Sequence, residues 1–366
     1  MKTLLLFGAI ALSINVFAQN VNIPDANFKA YLVGNTTINT NSDSEIQVSE
    51  ANAFTGAIIC PQLSITDLTG IEAFTALTEL YCNNSDLTSL NISQNIALTN
   101  LNCDENQLAS LDVSQNTALI ELNCRYNPLT SLDVSQNSAL TYLNCTENQL
   151  TSLDVTQNTA LLTLYCNHNY LTSLDVSQNT ALINLGCSYN QLTLLDVSQN
   201  TVLTLLACFV NQLASLDVAQ NTALNLLNCD FNQLTSLDIM QNTALLHLSC
   251  VDNQLTCLNA KNGNNTNFTW FKTINNPNLT CIEVDDATWS AANWTLIDAG
   301  VNFSGNCNYP ANCFSAAVLI HELTTTKKER IKIIDFMGRE TEFKPNTPLI
   351  FIYSDGTRER VMEIEE

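Results

Sequence analysis

Nine cysteines recur along the middle of the chain at one unbroken interval of 21 residues. They are Cys82, Cys103, Cys124, Cys145, Cys166, Cys187, Cys208, Cys229 and Cys250. Leucines keep the same interval around each cysteine, from Leu77 to about Leu258. A fixed period of this length is typical of a solenoid, in which each coil buries its apolar side chains only by stacking on its neighbours. The period therefore constrains the fold more than any other feature of the sequence.

The repeating frame is Leu-x-x-Leu-x-Cys-x-x-Asn-x-Leu, as in the coil that runs from Leu119 to Leu129. This frame resembles the leucine-rich repeat family, with cysteine as a small buried hydrophobe at the third apolar position. The resemblance implies a parallel strand around each cysteine and an asparagine amide that ties the turns of stacked coils together. The first unit departs from the frame with Ser85, and the asparagine recurs at Asn106, Asn127, Asn148, Asn169, Asn190, Asn211, Asn232 and Asn253.

The predicted fold class is an α/β-type solenoid dominated by β structure, with 21-residue coils and one parallel sheet. A small helical cap is expected before the repeats and a β-rich domain after them. The repeats are predicted over residues 58–256, with an irregular first coil around Cys60 and a degraded last coil over residues 268–276. About eleven coils at a strand spacing of ~4.8 Å give a sheet roughly 50 Å long.

The first 18 residues have the pattern of an export signal. Lys2 supplies the positive charge, residues 4–16 the apolar core, and Ala18 the small residue before the cleavage site. The apolar run is too short to cross a membrane, so we expect a protein that is secreted or displayed on the outer cell surface. Residues 19–57 are predicted to form the N-terminal cap, which begins with a short amphipathic helix over residues 23–32.

A loop from Asn39 to Glu50 in this cap resembles the EF-hand calcium loop, in which oxygen ligands surround one cation. The resemblance implies calcium ligands at Asn39, Asn41, Asp43, Glu45 and Glu50. The loop departs from the family at two positions, with Asn39 in place of Asp and Ser44 in place of Gly, so the expected affinity is modest. A structural calcium site and a metal-free polar loop both remain open, and no other cofactor is predicted.

Strand alternation predicts which repeat positions lie on the open face of the sheet, outside the core. If Leu80 and Cys82 point inward, residues 79, 81 and 83 and their relatives point outward. The predicted ligand-binding face comprises Tyr81, Tyr142, Tyr165, Leu205, Phe209, Leu226 and His247, and neighbouring loop positions add Tyr126, His168, Tyr189 and Phe231. Aromatic and short polar side chains on a rigid scaffold suit recognition of a protein or a glycan. The alternative is a scatter of surface aromatics without function.

Cysteines are expected in two chemical states. Parallel side chains stacked in register are poorly arranged for disulfides, so the nine-cysteine ladder is predicted to consist of buried free thiols. The disulfide candidates follow the ladder, and Cys281 with Cys307 is the favoured pair within a C-terminal cap over residues 257–313. A second repeat position, here called the aspartate column, is predicted to cap turns by accepting backbone N–H groups, and not to bind cations. Its members are Asp112, Asp133, Asp154, Asp175, Asp196, Asp217 and Asp238.

Charge separates the repeats from the end of the chain. The formal net charge of −22 argues against a nucleic-acid ligand, which needs clustered Lys and Arg. Eight of the thirteen basic residues lie between Lys327 and Arg360, which predicts a domain boundary near residue 315.

No catalytic motif with a nucleophile, a metal ligand set or a phosphate-binding loop occurs in the sequence, so we do not expect an enzyme.

The final domain, over residues 314–366, is predicted to contain a strand that begins near Arg330 and a hairpin over residues 348–364 with Asp355-Gly356 in its turn. It resembles the C-terminal sorting domain of the Bacteroidetes type IX secretion system. The resemblance implies that the type IX secretion machinery is a partner of this tail. The alternative is a small β-domain that packs on the cap.

Signal, repeats, caps and tail together resemble an internalin-like protein of a Bacteroidetes-type bacterium. Its expected function is recognition or adhesion through the open face of the sheet, without catalysis. The expected ligand is an extracellular protein or glycan, and no transmembrane segment is predicted. Two alternatives remain open, a structural component of the surface layer and an inhibitor or targeting subunit of a secreted enzyme.

Overall fold

The computed structural model describes residues 19–310 and 313–314, together with three strands at residues 330–334, 349–353 and 358–361. The predicted export signal, residues 1–18, lies outside the described residues. The chain divides into two compact units, Met1–Phe314 and Ser315–Glu366. The first unit contains the repeats and both caps.

Residues 19–310 of the first unit contain fifteen strands of three residues each. In chain order they are β1 Ala57–Ile59, β2 Glu79–Tyr81, β3 Asn100–Asn102, β4 Glu121–Asn123, β5 Tyr142–Asn144, β6 Thr163–Tyr165, β7 Asn184–Gly186, β8 Leu205–Ala207, β9 Leu226–Asn228, β10 Ser236–Asp238, β11 His247–Ser249, β12 Cys257–Asn259, β13 Trp270–Lys272, β14 Cys281–Glu283 and β15 Asn302–Ser304.

Eleven of these strands form one parallel sheet in the order β1 to β9, then β11, then β13. Each coil contributes one strand, and pairing keeps equivalent repeat positions in register, as where Leu122 lies beside Leu143. The count agrees with the eleven coils predicted from the period. The last coil is two residues longer than the 21-residue coils, because Leu248 pairs with Phe271, and the first is one residue longer, because Ile58 pairs with Leu80.

The middle residue of each strand and the cysteine that follows the strand point into the core. In the coil of β4, the side chains of Leu122 and Cys124 are fully buried, and the equivalent residues of the neighbouring coils are buried as well. Leucines and valines at the other corners, such as Leu129 and Val134, close the same core. The predicted inward and outward alternation is therefore confirmed.

The frame asparagine joins consecutive coils as predicted. Asn148 donates from Nδ2 to the carbonyl of Cys124 in the preceding coil at 3.1 Å and to that of Cys145 in its own coil at 3.0 Å. Its Oδ1 accepts the backbone N–H of Leu129 at 3.1 Å. Because turn N–H and carbonyl groups of the interior have no water to bind, these amides supply the hydrogen bonds that burial would otherwise leave unmade.

A second asparagine ladder runs along the opposite part of the coils, which the sequence reasoning did not assign. Asn158 donates from Nδ2 to the carbonyls of Val134 and Asn137, both at 2.9 Å. Its Oδ1 has no hydrogen-bond partner. The same arrangement recurs at Asn95, Asn116, Asn137, Asn179, Asn200, Asn221 and Asn242.

The prediction of one parallel sheet was incomplete. A second parallel sheet of four strands, in the order β10, β12, β14 and β15, forms at the C-terminal end of the first unit. It arises because the turn segments of the last coils straighten into strands where the regular frame ends. Asp238, the last member of the aspartate column, lies in this sheet and is half-buried, so desolvation raises its pKa.

Both ends of the solenoid are capped. At the N-terminus, helix α1 spans Ala26–Gly34, with Asp25 accepting the N–H groups of Asn27 and Phe28, and helix α2 spans Val48–Ala53. At the C-terminus, helix α3 spans Ala287–Asn293, and the ring of Trp294 stacks on that of Phe271 at 3.6 Å between centroids. These caps cover the core of the first and last coils, as terminal repeats require.

All fourteen cysteines lie in the first unit. Ten are free and buried, the nine of the ladder and Cys60 of the first coil. Desolvation raises the pKa of Cys103 and Cys145 to about 12, so these thiols remain protonated at neutral pH. Cys281 is bonded to Cys307, and Cys257 to Cys313, within the C-terminal cap.

The described residues of the second unit form an antiparallel sheet of three strands, β16 Arg330–Ile334, β17 Leu349–Tyr353 and β18 Arg358–Val361. Strand β17 pairs with both of the others. These strands match the strand and hairpin predicted from the sequence. The predicted turn at Asp355-Gly356 lies outside the described residues.

Candidate functional site

The open face of the eleven-stranded sheet is built by the first and third residues of each strand and by the two residues that follow the cysteine. The seven residues predicted to bind a ligand all lie on this face, but the structure divides them. Tyr165, Leu205 and Phe209 line one cavity, and Leu226 and His247 line another. Tyr142 packs edge-on against Tyr165, with 6.2 Å between ring centroids.

Tyr81 stands apart from both groups, on β2. Its hydroxyl donates to Oε2 of Glu79 at 3.0 Å. Burial and the neighbouring Glu79 carboxylate raise its pKa. The structure therefore ties Tyr81 to its own strand and places it in neither cavity.

The first cavity, here called the aromatic cavity, has a volume of ≈ 290 Å³ and spans β6, β7 and β8. His168 stacks on Tyr189 at 3.9 Å, and Tyr189 meets the ring of Phe209 edge-on at 5.1 Å. Together with Tyr165 and Tyr142 these rings form a band over consecutive coils. Such contacts contribute about 0.5–1.5 kcal/mol per pair beyond area burial, so the rings hold one another in place.

Gly186 forms the floor of the aromatic cavity, and the sequence reasoning did not single it out. A Cβ atom at this position would stand 2.8 Å from Cδ1 of Tyr165 and 3.0 Å from Nδ2 of Asn167. Only glycine therefore allows the Tyr165 ring to lie across β7. Since Gly186 pairs with Tyr165 on one side and with Ala207 on the other, two small residues leave a depression beside the aromatic band.

A turn position in each coil orients the side chains at the rim of the cavity. This residue, two after the cysteine, has a left-handed backbone in every coil, with φ of 52° at His168 and 54° at Tyr189. Glycine and asparagine adopt this conformation most easily, and for a β-branched residue such as Val210, with φ 53°, it is an outlier. The chain thus carries bulky side chains at a position where the backbone does not favour them.

Polar groups at the rim are few. Nδ1 of His168 lies 3.4 Å from Oε1 of Glu147. Asn167 accepts the backbone N–H of Ser188 at 2.9 Å. Burial raises the pKa of the Tyr165 hydroxyl, so this group is a neutral donor at physiological pH. The aromatic cavity thus combines an apolar floor with hydroxyl, amide, imidazole and carboxylate groups at its edge.

The second cavity, here called the Trp270 cavity, has a volume of ≈ 390 Å³ and spans β9, β11 and β13. Leu226, His247 and Trp270 lie side by side on these strands. The predicted set omitted Trp270 and Lys272. The alternation applied to the last coil, where Phe271 points inward, would have placed both on the open face.

The loop predicted to bind calcium is held by hydrogen bonds within the protein. Oε1 of Glu50 accepts the N–H groups of Thr40 and Asn41 and the Thr40 hydroxyl, at 2.8–3.2 Å, and Oε2 accepts the N–H of Gln47. Burial by itself would raise the pKa of the Glu50 carboxyl, but these hydrogen bonds outweigh burial, and the pKa of Glu50 is lowered. The Glu50 carboxylate therefore caps helix α2 and closes the loop.

The other predicted calcium ligands also have partners in the protein. Asp43 accepts the N–H of Glu45 at 2.7 Å, Glu45 forms an ion pair with Lys29 at 2.7 Å, and Nδ2 of Asn41 donates to Asp43. Asn39 donates from Nδ2 to the carbonyl of Asp43. Within residues 19–310 and 313–314, no group of three or more His, Cys, Asp or Glu side chains is placed to hold a metal ion.

Comparison with known proteins identifies similar structures. The functional domain of InlJ from Listeria monocytogenes, which includes a cysteine ladder, is 37% identical, with a TM-score of 0.59 over 73% of this chain and 67% of that one. The internalin C2 of the same organism is 18% identical, with a TM-score of 0.50 over 55% and 91% of the two chains. The leucine-rich repeat domain of APL1B is 21% identical, with a TM-score of 0.51 over 64% and 73%.

No family model and no curated protein matches the chain. In the part of the chain that the structure describes, no helix is long and apolar enough to cross a membrane.

Proposed function

The chain belongs to the leucine-rich repeat family and has an internalin-like fold, and from this premise we propose that it is an exported recognition protein. It binds its ligand through the open face of the sheet and catalyses no reaction. Leucine-rich repeat proteins generally mediate recognition of other proteins, and the rigid eleven-stranded sheet supplies a surface whose backbone changes little on binding. Export places this surface outside the cell, in the medium or on the outer membrane.

The observation that carries the proposal is the aromatic cavity. Tyr165, Tyr189 and Phe209 form a band of rings beside the depression at Gly186, on a sheet whose strands β2 to β5 present mostly Asn and Glu. Aromatic side chains are the residues most enriched in the energetic centres of protein interfaces. The rings are already ordered by contact with one another, so binding costs little side-chain entropy.

We infer a protein ligand at this cavity, one that inserts an aliphatic or aromatic side chain beside the Tyr165 ring. Leu205 and Ala207 extend the apolar surface along β8, which suits a hydrophobic side chain better than a hydroxyl-rich one. The polar rim at Glu147 and His168 then fixes orientation. Adhesion to another cell or matrix through this contact is the use that an exported solenoid favours.

The test compares the full chain with a variant that carries Tyr142→Ala, Tyr165→Ala and Phe209→Ala. A matched control carries alanine at three exposed apolar positions outside both cavities, Ile96, Tyr170 and Leu194. Both variants and the parent are screened on arrays of extracellular proteins and of glycans, and the affinity of each hit is then measured.

For a protein ligand, the affinity is expected to fall about tenfold or more in the cavity variant and to stay unchanged in the control. If the folded cavity variant binds that protein like the parent, the aromatic cavity is not its site. If no protein or glycan is bound by the parent, the structural surface-layer alternative replaces recognition. Binding of a secreted enzyme with loss of its activity would identify an inhibitor.

We also propose that the second unit is a type IX sorting domain. Its three-stranded antiparallel sheet and its share of the basic residues support this role. A reporter with an export signal, fused to residues 314–366 and produced in a bacterium that has this system, is expected to reach the outer surface. A reporter that remains in the periplasm both with and without the fusion would exclude sorting.

A further inference from the structure

The Trp270 cavity, at the opposite end of the open face from Tyr81, is separate from the aromatic cavity. No lining residue is common to the two. We propose that the Trp270 cavity binds one pyranose ring of a neutral saccharide, stacked on Trp270. This site goes beyond the proposed function, because it takes a different ligand class through different residues.

Trp270 supplies the stacking surface. It lies on the last strand of the main sheet, with 49% of its surface exposed, while its neighbour Phe271 is buried against Trp294. An indole is the largest apolar side chain, and its face matches the C–H face of a pyranose ring. Leu226 and His247 continue the surface across β11 and β9, with Nε2 of His247 fixed 3.0 Å from Oγ1 of Thr269.

Beside this surface, Asp230 presents a fixed acceptor. Its Oδ2 accepts the hydroxyl of Ser249 at 2.9 Å, and its Oδ1 accepts the N–H of Val251 at 2.6 Å. Each carboxylate oxygen keeps a second lone pair for a ligand hydroxyl. The carboxylate is half-buried, and a hydrogen bond to a charged group in such a place is stronger than one in water.

Donors stand next to this acceptor. Oδ1 of Asn228 accepts the N–H of Asp230 at 3.1 Å, which leaves its Nδ2 to donate to a ligand. Lys272 forms no ion pair within residues 19–310. Burial raises the pKa of Asp230, and the hydrogen bonds from Ser249 and Val251 and the nearby Lys272 ammonium act in the opposite direction. A sugar hydroxyl both donates and accepts, so an acceptor, an amide and an ammonium group beside one ring match its requirements.

Charge selects a neutral ligand over an ionic one. The charges of Asp230 and Lys272 cancel, and the chain as a whole carries −22, which repels an anion. Lys272 in turn repels a cationic ligand placed over Trp270. In contrast, the other cation on the open face, Arg125, is already paired with Asp104 at 2.8 Å. A neutral, hydroxyl-rich ring is the ligand that this balance favours.

The test uses the full chain and six-unit oligosaccharides of β-1,4-glucose, β-1,3-glucose, β-1,4-mannose, β-1,4-xylose and N-acetylglucosamine, with a galacturonic acid hexamer as the anionic comparison. Titration calorimetry measures affinity, and tryptophan fluorescence reports whether Trp270 contacts the sugar. The variants are Trp270→Ala, Trp270→Phe and, as an exposed aromatic outside the cavity, Tyr170→Ala.

We expect at least one neutral oligosaccharide to bind with a dissociation constant of about 1 mM or tighter and to shift the tryptophan emission. Trp270→Ala should weaken it by about tenfold, Trp270→Phe by less, and Tyr170→Ala not at all. Failure of all five neutral sugars, preference for the galacturonate, or unchanged binding by a folded Trp270→Ala variant would each overturn the proposal. The Tyr142, Tyr165 and Phe209 variant should bind the sugar normally, so failure here and failure of the protein site are distinguishable.

Discussion

Replacement of Asn148 by alanine is predicted to destabilise the solenoid, and the hydrogen bonds of the frame ladder set the magnitude. The change removes four bonds, three made by the two Nδ2 hydrogens and one accepted by Oδ1. The carbonyls of Cys124 and Cys145 keep donors in Asn127 and Asn169, and that of Thr146 keeps the backbone N–H of Tyr126. Only the N–H of Leu129 is left buried and unpaired. That group costs about 1–3 kcal/mol, and the bonds of the two Nδ2 hydrogens add about 0.5–1.5 kcal/mol for each hydrogen, so the expected loss is about 4 kcal/mol.

Asn158 of the second ladder provides an internal comparison. Its alanine variant loses two bonds, but the carbonyl of Val134 still accepts the N–H of Asn137, and the carbonyl of Asn137 still accepts the N–H of Leu140. No buried group is left without a partner, and a buried Oδ1 that had none is removed. We therefore expect a smaller loss for Asn158→Ala, about 1–2 kcal/mol.

The assay is urea unfolding followed by circular dichroism, with Gln149→Ala as the control, because the exposed Gln149 side chain is adjacent to Asn148 in sequence. Surface changes of this kind stay within about 0.5 kcal/mol. From the most to the least stable, the expected order of the variants is Gln149→Ala, Asn158→Ala and Asn148→Ala. The argument from a buried N–H left without a partner would be refuted by either of two results. One is an Asn148→Ala variant as stable as the control, and the other is an Asn158→Ala variant less stable than Asn148→Ala.

Further outcomes are expected at four other sites. Gly186→Ala should displace the Tyr165 ring and weaken ligand binding by about tenfold while changing the free energy of unfolding by less than about 1 kcal/mol, and an unchanged affinity would contradict the role of the cavity floor. Cys145, with its pKa raised to about 12, should resist thiol reagents at pH 8 in the folded chain and react on unfolding; rapid labelling of the native protein would show that the ladder opens. Asp133→Ala should lower stability slightly at pH 7, and because hydrogen bonds from the serine two positions on lower the Asp133 pKa below 3.8, this difference should vanish as the pH falls through that lowered value. Calcium should leave the melting temperature unchanged because the Glu50 oxygens already accept four hydrogen bonds, whereas a rise at millimolar calcium would restore the EF-hand-like site.

The regular part of the fold could be predicted because every coil repeats one solution to the same packing problem. Leu122 and Cys124 are inward in one coil, so their relatives are inward in all. The period could not reveal the second sheet, which forms where the frame ends. It also said nothing about the second asparagine ladder, since a buried amide such as Asn158 has the same spacing as a surface residue.

The candidate sites were predictable in outline only. Alternation placed Tyr165 and Phe209 on the open face, but grouping them required distances across strands. Gly186 was missed because a depression is made by an absent side chain, and a list of aromatic residues does not show it. Trp270 was missed because the last coil is 23 residues long and has Thr273 where the other coils have cysteine, so the 21-residue interval does not point to Trp270.

From Cys103 to Cys250, each cysteine carbonyl in the frame ladder accepts hydrogen bonds from the asparagine of its own coil and from that of the next coil. The hydrogen bonds of one coil are therefore the same as those of any other, and a junction between two coils does not depend on which two they are. Insertion of a further 21-residue unit between β8 and β9, which pair directly, should leave the interior unchanged while it moves the aromatic cavity and the Trp270 cavity further apart by one strand spacing, about 4.8 Å. The number of repeats between the aromatic cavity and the Trp270 cavity thus determines the distance between them, and this distance can be changed in fixed steps without redesign of the core.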